Sequence, residues 1–222
     1  MRNLAWLFCS EGVTKGLFFV ANILLARFLS ASDYGVLALA QSWVLYAWII
    51  ADLGIMMYGQ AEAARRESRT QTAALAWEVL PLRALAGAAV FTALTTMLPL
   101  FTKSGPLRIT IAAASFYLLG QAINAEWLLR GKERFDVVMI ANAAGATAFL
   151  AAVVMIGSSS GAAVKDAMAW ALSSFVMAAV YVGFLPRLIG MPSRLSISAA
   201  AWLRHARESS FVALSGIIGE SY

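Results

Sequence analysis

The sequence predicts an all-α membrane protein: a bundle of six transmembrane helices followed by an incomplete seventh. Three observations carry that expectation. Of its 222 residues, 61% are hydrophobic and 13% charged, against about 25% charged in a soluble domain, so too few polar side chains exist to clothe a water-facing surface. The apolar residues fall into six long runs, each close to the ~20 residues a helix needs to cross a hydrocarbon core. Short tracts of Gly, Pro, Ser and charged residues separate the runs, and these break helices.

The runs are residues 4–29, 35–58, 82–101, 109–129, 137–156 and 167–185. Leu and Ala dominate them and favour helix; nothing alternates with the period of two that a barrel strand needs. The intervening tracts include Ser30-Ala31-Ser32-Asp33, Lys103-Ser104-Gly105-Pro106, Arg130-Gly131-Lys132-Glu133-Arg134 and Gly157-Ser158-Ser159-Ser160-Gly161. The N-terminal stretch reads as part of the first span rather than a cleaved signal, because Glu11 interrupts its apolar run and no small-residue cleavage site precedes the resumption. Trp6, Tyr34, Tyr58 and Trp127 fall near span ends, where interfacial aromatics gather.

The net charge of +5 would suggest nucleic acid in a soluble protein. Here the cations sit between apolar runs and act as topology determinants, so no nucleic-acid partner is expected. With the N-terminus in the cytoplasm, the inner segments hold eleven Lys and Arg residues and the outer segments four, which are Arg27, Lys103, Arg108 and Lys165. The tract from Arg65 to Arg69 reads as a solvated cytoplasmic face meeting anionic lipid heads, not as a specific site. Cys9 is the single cysteine, a small buried residue with no disulfide partner, and His205 is the single histidine. No metal or cofactor site is expected, because no His, Cys and carboxylate cluster has ligand spacing.

Three units follow. Residues 1–190 form the six-helix lobe. Residues 191–208 form a cytoplasmic interfacial linker helix, with Leu195, Ala199, Trp202 and Ala206 on its apolar face and Arg204, His205 and Arg207 on its polar positions. Residues 209–222 begin a seventh span. At 1.5 Å per residue those 14 residues reach roughly 21 Å, short of a ~30 Å core. A unit continuing beyond residue 222 is therefore expected.

Two stretches carry a family resemblance. Ala26-Arg27-Phe28-Leu29-Ser30-Ala31-Ser32-Asp33-Tyr34-Gly35 resembles the first turn of bacterial oligosaccharide flippases, and Ala51-Asp52-Leu53-Gly54 with its following basic tract resembles the end of their second helix. The basic turn Leu128-Leu129-Arg130-Gly131-Lys132-Glu133-Arg134-Phe135 and the apolar start Val212-Ala213-Leu214-Ser215-Gly216 add weaker matches. The chain thus resembles the N-terminal half of the oligosaccharide flippase and polysaccharide biosynthesis (O-antigen export) family. That family belongs to the superfamily of multidrug exporters and lipid-linked oligosaccharide flippases. The resemblance implies two six-helix lobes around a central cavity with alternating access. It implies a polyprenyl-pyrophosphate-linked oligosaccharide as substrate, destined for lipopolysaccharide or another surface polymer. It also implies a bacterial inner-membrane location and a missing C-terminal lobe or partner half.

The polar residues inside the runs are the candidate site. Residues 16–29 alone are too short to span, so the first helix must take in Glu11 and Lys15, with Lys15 near mid-depth. Their i,i+4 spacing lets them neutralise each other while both face the bundle interior. They either line the translocation cavity, with Lys15 toward a pyrophosphate and Glu11 toward a proton or cation, or form a structural ion pair. Gly12 and Gly16 form a G-x-x-x-G pattern that permits close helix approach. Asp52 either ends the second helix or lines the cavity. Arg83, two residues after Pro81, either snorkels to the inner surface or contacts phosphate. Gln121, Asn124 and Glu126 stack along one side of the fourth helix, for interhelical hydrogen bonds or sugar contacts. An enzyme is not expected, because the sequence shows no nucleophile with a base and no paired carboxylates on a long loop. The alternatives to a flippase are a small-molecule exporter of the same superfamily and an inactive half that needs its partner.

Overall fold

A computed structural model describes the backbone of residues 2–52, 54–190 and 201–210, with side chains from residue 11 onward. The regular structure of the described residues is all α-helix, with no strand among them. The helices are α1 (Arg2–Phe28), α2 (Ala31–Asp52), α3 (Ile55–Arg65), α4 (Arg69–Phe101), α5 (Gly105–Ala122), α6 (Glu126–Gly131), α7 (Phe135–Ile156) and α8 (Ala162–Ile189), with a further helical stretch over 201–210. Among the described residues, five stretches are long and apolar enough to cross a membrane: α2, α4, the α5–α6 run, α7 and α8. α1 has the length, at 27 residues, but carries Glu11, Lys15 and Arg27.

Local chemistry sets the helix starts. Ser30 Oγ accepts the Asp33 N–H at 3.1 Å while donating to the Asp33 carboxylate at 2.8 Å, a reciprocal cap that opens α2. Ser68 caps α4 and Ser104 caps α5, each accepting the N–H three residues on.

Lipid suits the outside of the bundle. Phe19, Tyr46, Ile49, Leu100 and Met155 are all more than half exposed, an apolar surface that water would not tolerate at this extent. Thr92, Thr95 and Thr96 return their hydroxyl protons to carbonyls of their own helix, so none of these three hydroxyls is stranded in hydrocarbon. The chain is a multi-pass membrane protein.

α5 and α8 form the centre. α8 packs against both α5 and α7, α2 and α4 pack on α5, and α1 lies on the far side against α7, barely touching α2. One core gathers Leu25, Leu37, Val44, Leu118, Phe149 and Trp170. A second, toward the opposite end, gathers Ile55, Val79, Trp127, Leu128 and Tyr181. α5 meets α8 at Gly120, where a Cβ would lie 2.0 Å from Ser174 Oγ and 2.9 Å from the Phe175 amide. The expected close approach at Gly12 and Gly16 does not occur among the described residues: a Cβ on either would meet none of them within 4 Å, because α1 turns that face away from its described neighbours.

Several expected boundaries shift. The second span stops at Asp52, where Gly54 takes a left-handed turn (φ 75°), and Tyr58 is buried in α3 rather than placed at an interface. The fourth run breaks after Ala122 and resumes at Glu126. Trp127 is fully buried, so it is no interfacial anchor. α4 starts at Arg69 instead of residue 82, which places Pro81 inside a 33-residue helix. At 1.5 Å per residue α4 is about 50 Å long, so it projects beyond a ~30 Å core. α8 starts at Ala162, so Asp166 is inside it and buried, both carboxylate oxygens lacking a partner among the described residues. The side chains of Trp6 and Cys9, residue Leu53, linker residues Leu195 and Ala199, and residues 211–222 of the seventh run lie outside the described residues.

The stretch 201–210 docks on α3 and α4 through His205, which is 2% exposed rather than on a polar face. Tyr58 donates its hydroxyl proton to Glu208 at 2.6 Å, and the phenolic oxygen lies 2.9 Å from His205 Nδ1. His205 Nε2 lies 2.9 Å from Glu78 on α4. Burial, then the Glu208 carboxylate, push the Tyr58 phenol above its ordinary range. His205→Ala leaves Tyr58 and Glu78 short of a partner, at an expected cost of ~1–3 kcal/mol. The check is amide hydrogen exchange, which should accelerate over 201–210 and stay unchanged in α7.

Candidate functional site

The helix breaks build the site. Where α5 gives way to α6, the freed carbonyl of Asn124 needs a donor, since lipid supplies none. Arg83 of α4 provides it, with Nη1 2.9 Å from the Asn124 oxygen. The same guanidinium reaches the other break: Nη2 lies 3.0 Å from Asp52 Oδ1 at the end of α2, while Asp52 Oδ2 accepts the Met56 N–H at 3.1 Å and so caps the start of α3. Arg83 also lies over the Trp48 ring at 5.2 Å. Its side chain is 3% exposed, so it does not snorkel. Asp52 ends its helix and lines the pocket at once.

Asn124 holds the rest of the break. Its Oδ1 accepts the Glu126 N–H at 2.8 Å and its Nδ2 donates to Gln121 at 3.2 Å, while Gln121 Nε2 donates to the Tyr117 hydroxyl at 2.9 Å. The three residues expected to stack on one helix therefore sit on α5, in the break and on α6. Together with Trp48, Asp52, Met56 and Arg83 they line a pocket of about 160 Å³. Among the described residues, Arg83 Nε is buried in this neighbourhood without a hydrogen-bond partner.

A second arm leads from the pocket to α1. Glu126 is gripped by Arg130 at 2.6 Å, Arg130 reaches Glu11 at 3.3 Å, and Glu11 pairs with Lys15 at 3.1 Å. The charges alternate along this arm, and Arg83 with Asp52 adds a balanced pair, so the cluster is neutral overall. Exposure rises outward: the Glu126 side chain is 16% exposed, Glu11 40% and Lys15 78%. The expectation that both members of the α1 pair face the bundle interior holds in part for Glu11 and fails for Lys15. The reason is the edge position of α1, which packs on α7 and leaves its other face open.

All seven residues singled out from the sequence thus belong to one connected polar cluster, formed by α1, α2, α4, α5 and α6. Sequence reasoning missed three participants. Arg130 looked like a loop cation, although its i+4 spacing from Glu126 was a usable signal. Tyr117 and Trp48 lay within apolar runs and carried no signal. Among the described residues, no three His, Cys, Asp or Glu side chains gather as a metal site.

No curated protein and no solved structure matches the chain. A family model described as polysaccharide biosynthesis protein matches residues 1–220. With that match covering nearly the whole sequence, on a multi-pass helical bundle, the chain belongs to the polysaccharide biosynthesis protein family.

Proposed function

We propose that this chain forms a six-span lobe, with α1 as the sixth span, of a transporter that moves lipid-linked oligosaccharide across a bacterial inner membrane by alternating access. Its basic end and N-terminus lie in the cytoplasm in this reading, and a second lobe or partner half completes the cavity. The protein acts as a carrier, and no residue is assigned a covalent step. One observation supports the reading most: a charged arm runs from a polar pocket at two helix breaks to an exposed lysine on an open helix face. Irregular backbone at membrane depth is tolerated where it lines a cavity or is buried in protein, and ionisable groups there mark substrate pathways.

The sharing of Glu11 gives the arm its use. Because Glu11 meets both Lys15 and Arg130, Lys15 can swing onto the pyrophosphate of a lipid carrier without leaving Glu11 unpaired. The neutral arm then carries the compensating charge inward. The experiment is complementation of cells lacking the protein. Lys15→Ala is expected to abolish surface-polysaccharide export at a normal membrane level, because the exposed side chain supports no packing. Export at the parental level in that variant removes Lys15 from the substrate path.

A further inference from the structure

A cleft of about 240 Å³ opens where the start of α4, the α6–α7 turn and the end of α8 meet, apart from the pocket around Arg83. Its floor includes Leu128, Leu129 and Ile189, and its rim carries Arg69, Lys132 and Arg134. Glu67 is the one acid on the rim. Ser68 caps α4 at this spot, so the positive end of a long helix adds to the field.

The cations differ in how they are satisfied. Arg134 is matched by Asp136 at 2.9 Å. Among the described residues, Arg69 and Lys132 meet only backbone carbonyls: Arg69 donates to Arg187 O at 3.0 Å and Lys132 to Arg66 O. Those carbonyls orient both side chains without neutralising them. Burial pushes the Lys132 ammonium down, a cost that a bound anion would offset. A guanidinium fork, an ammonium and a helix start are the groups that recognise phosphate oxygens. An apolar floor below them, beside the buried C-terminal turn of α8, suits the stem of a lipid more than a bare ion.

We propose that this cleft is a phosphate-binding site at the membrane surface, filled by an anionic lipid headgroup or by free phosphate, with Arg69 and Lys132 as its principal contacts. The site is independent of the transport reading. The test is native mass spectrometry of the full chain in neutral detergent, after incubation with phosphatidylglycerol or phosphatidylcholine. The parent protein should retain phosphatidylglycerol in preference to phosphatidylcholine. The double variant Arg69→Ala/Lys132→Ala should lose that retention by roughly tenfold or more, given the strength of single cation contacts at an anionic surface. Lys103→Ala/Arg108→Ala, at the other end of the bundle, should keep it. Millimolar inorganic phosphate distinguishes the sources: displacement of the lipid assigns the cleft to free phosphate, and persistence assigns it to the headgroup. Equal retention by the parent and the Arg69/Lys132 variant, with unchanged melting, would overturn the proposal, as would equal loss in the Lys103/Arg108 control.

Discussion

Replacing Arg83 with Met is expected to destabilise the bundle by about 3–5 kcal/mol, the usual cost of deleting one partner from a buried ion pair. Nearly all of the side chain is out of contact with solvent, and three things depend on it at once: the Asp52 carboxylate at 3.0 Å, the Asn124 carbonyl at 2.9 Å and the Trp48 ring. Met fills the volume but supplies no donor, so the Asp52 carboxylate loses its cation, keeping only the Met56 N–H among the described residues, and the Asn124 oxygen loses its donor. Arg83→Lys should fall between, because one ammonium cannot reproduce a fork that spans two acceptors. Melting in detergent, followed by intrinsic fluorescence, checks the order parent, Lys, Met. A Met variant that melts with the parent would show that the two helix breaks do not depend on this guanidinium.

Gly120→Val is expected to be damaging too, at about 3 kcal/mol, the upper end of what overpacking usually costs. A hydroxyl could move out of the way, but the backbone of Ser174 and Phe175 lies 2.9 Å from the new Cβ and cannot. α5 and α8 would have to separate at the centre of the bundle, opening voids along both cores. Gly120→Ala should be milder, and Ser174→Ala should relieve only part of its cost, because the backbone contacts remain. A thermal-melt double-mutant cycle measures the coupling. Parental stability in Gly120→Val would mean that α5 and α8 pack more loosely at this point than a 2.9 Å approach implies.

Much of this was legible from residue type and spacing. Composition and run length gave the helical membrane bundle, and polar residues inside apolar runs pointed to one cluster, because each is too costly in lipid to exist without a partner. The first helix break was legible in part: Ala51-Asp52-Leu53-Gly54 reads as the end of the second helix, although apolar sequence runs on through Ile55-Met56-Met57. The second was not, because Gln121, Asn124 and Glu126 read as polar positions along one continuous helix. The signals at the two breaks were Gly54, whose left-handed backbone needs tertiary context to recognise, and Asn124, whose side chain substitutes for lost helical partners. Helix pairing was also hidden. The G-x-x-x-G pattern at Gly12 and Gly16 suggested an interface that α1 does not make, while the isolated glycine at 120 makes the tightest one. A motif of small residues permits close approach, but which faces meet depends on the whole packing arrangement. His205 showed the same limit: a lone histidine in a basic tract reads as solvated, and its burial depends on Tyr58, Glu78 and Glu208 arriving from elsewhere.

If the charged arm ends on a substrate path within the membrane, position 15 is reached by water and by the lipid-linked sugar rather than by acyl chains. Thiol labelling in proteoliposomes measures this directly, using Lys15→Cys in a Cys9→Ser background, with Leu172→Cys as the control on a 59% exposed site midway along α8. The account predicts that a water-soluble thiol reagent modifies position 15 but not 172, since only a hydrated thiol ionises readily, and that added polyprenyl-pyrophosphate oligosaccharide protects position 15. Modification of both positions by a lipid-soluble reagent alone, with no protection by the oligosaccharide, would contradict it.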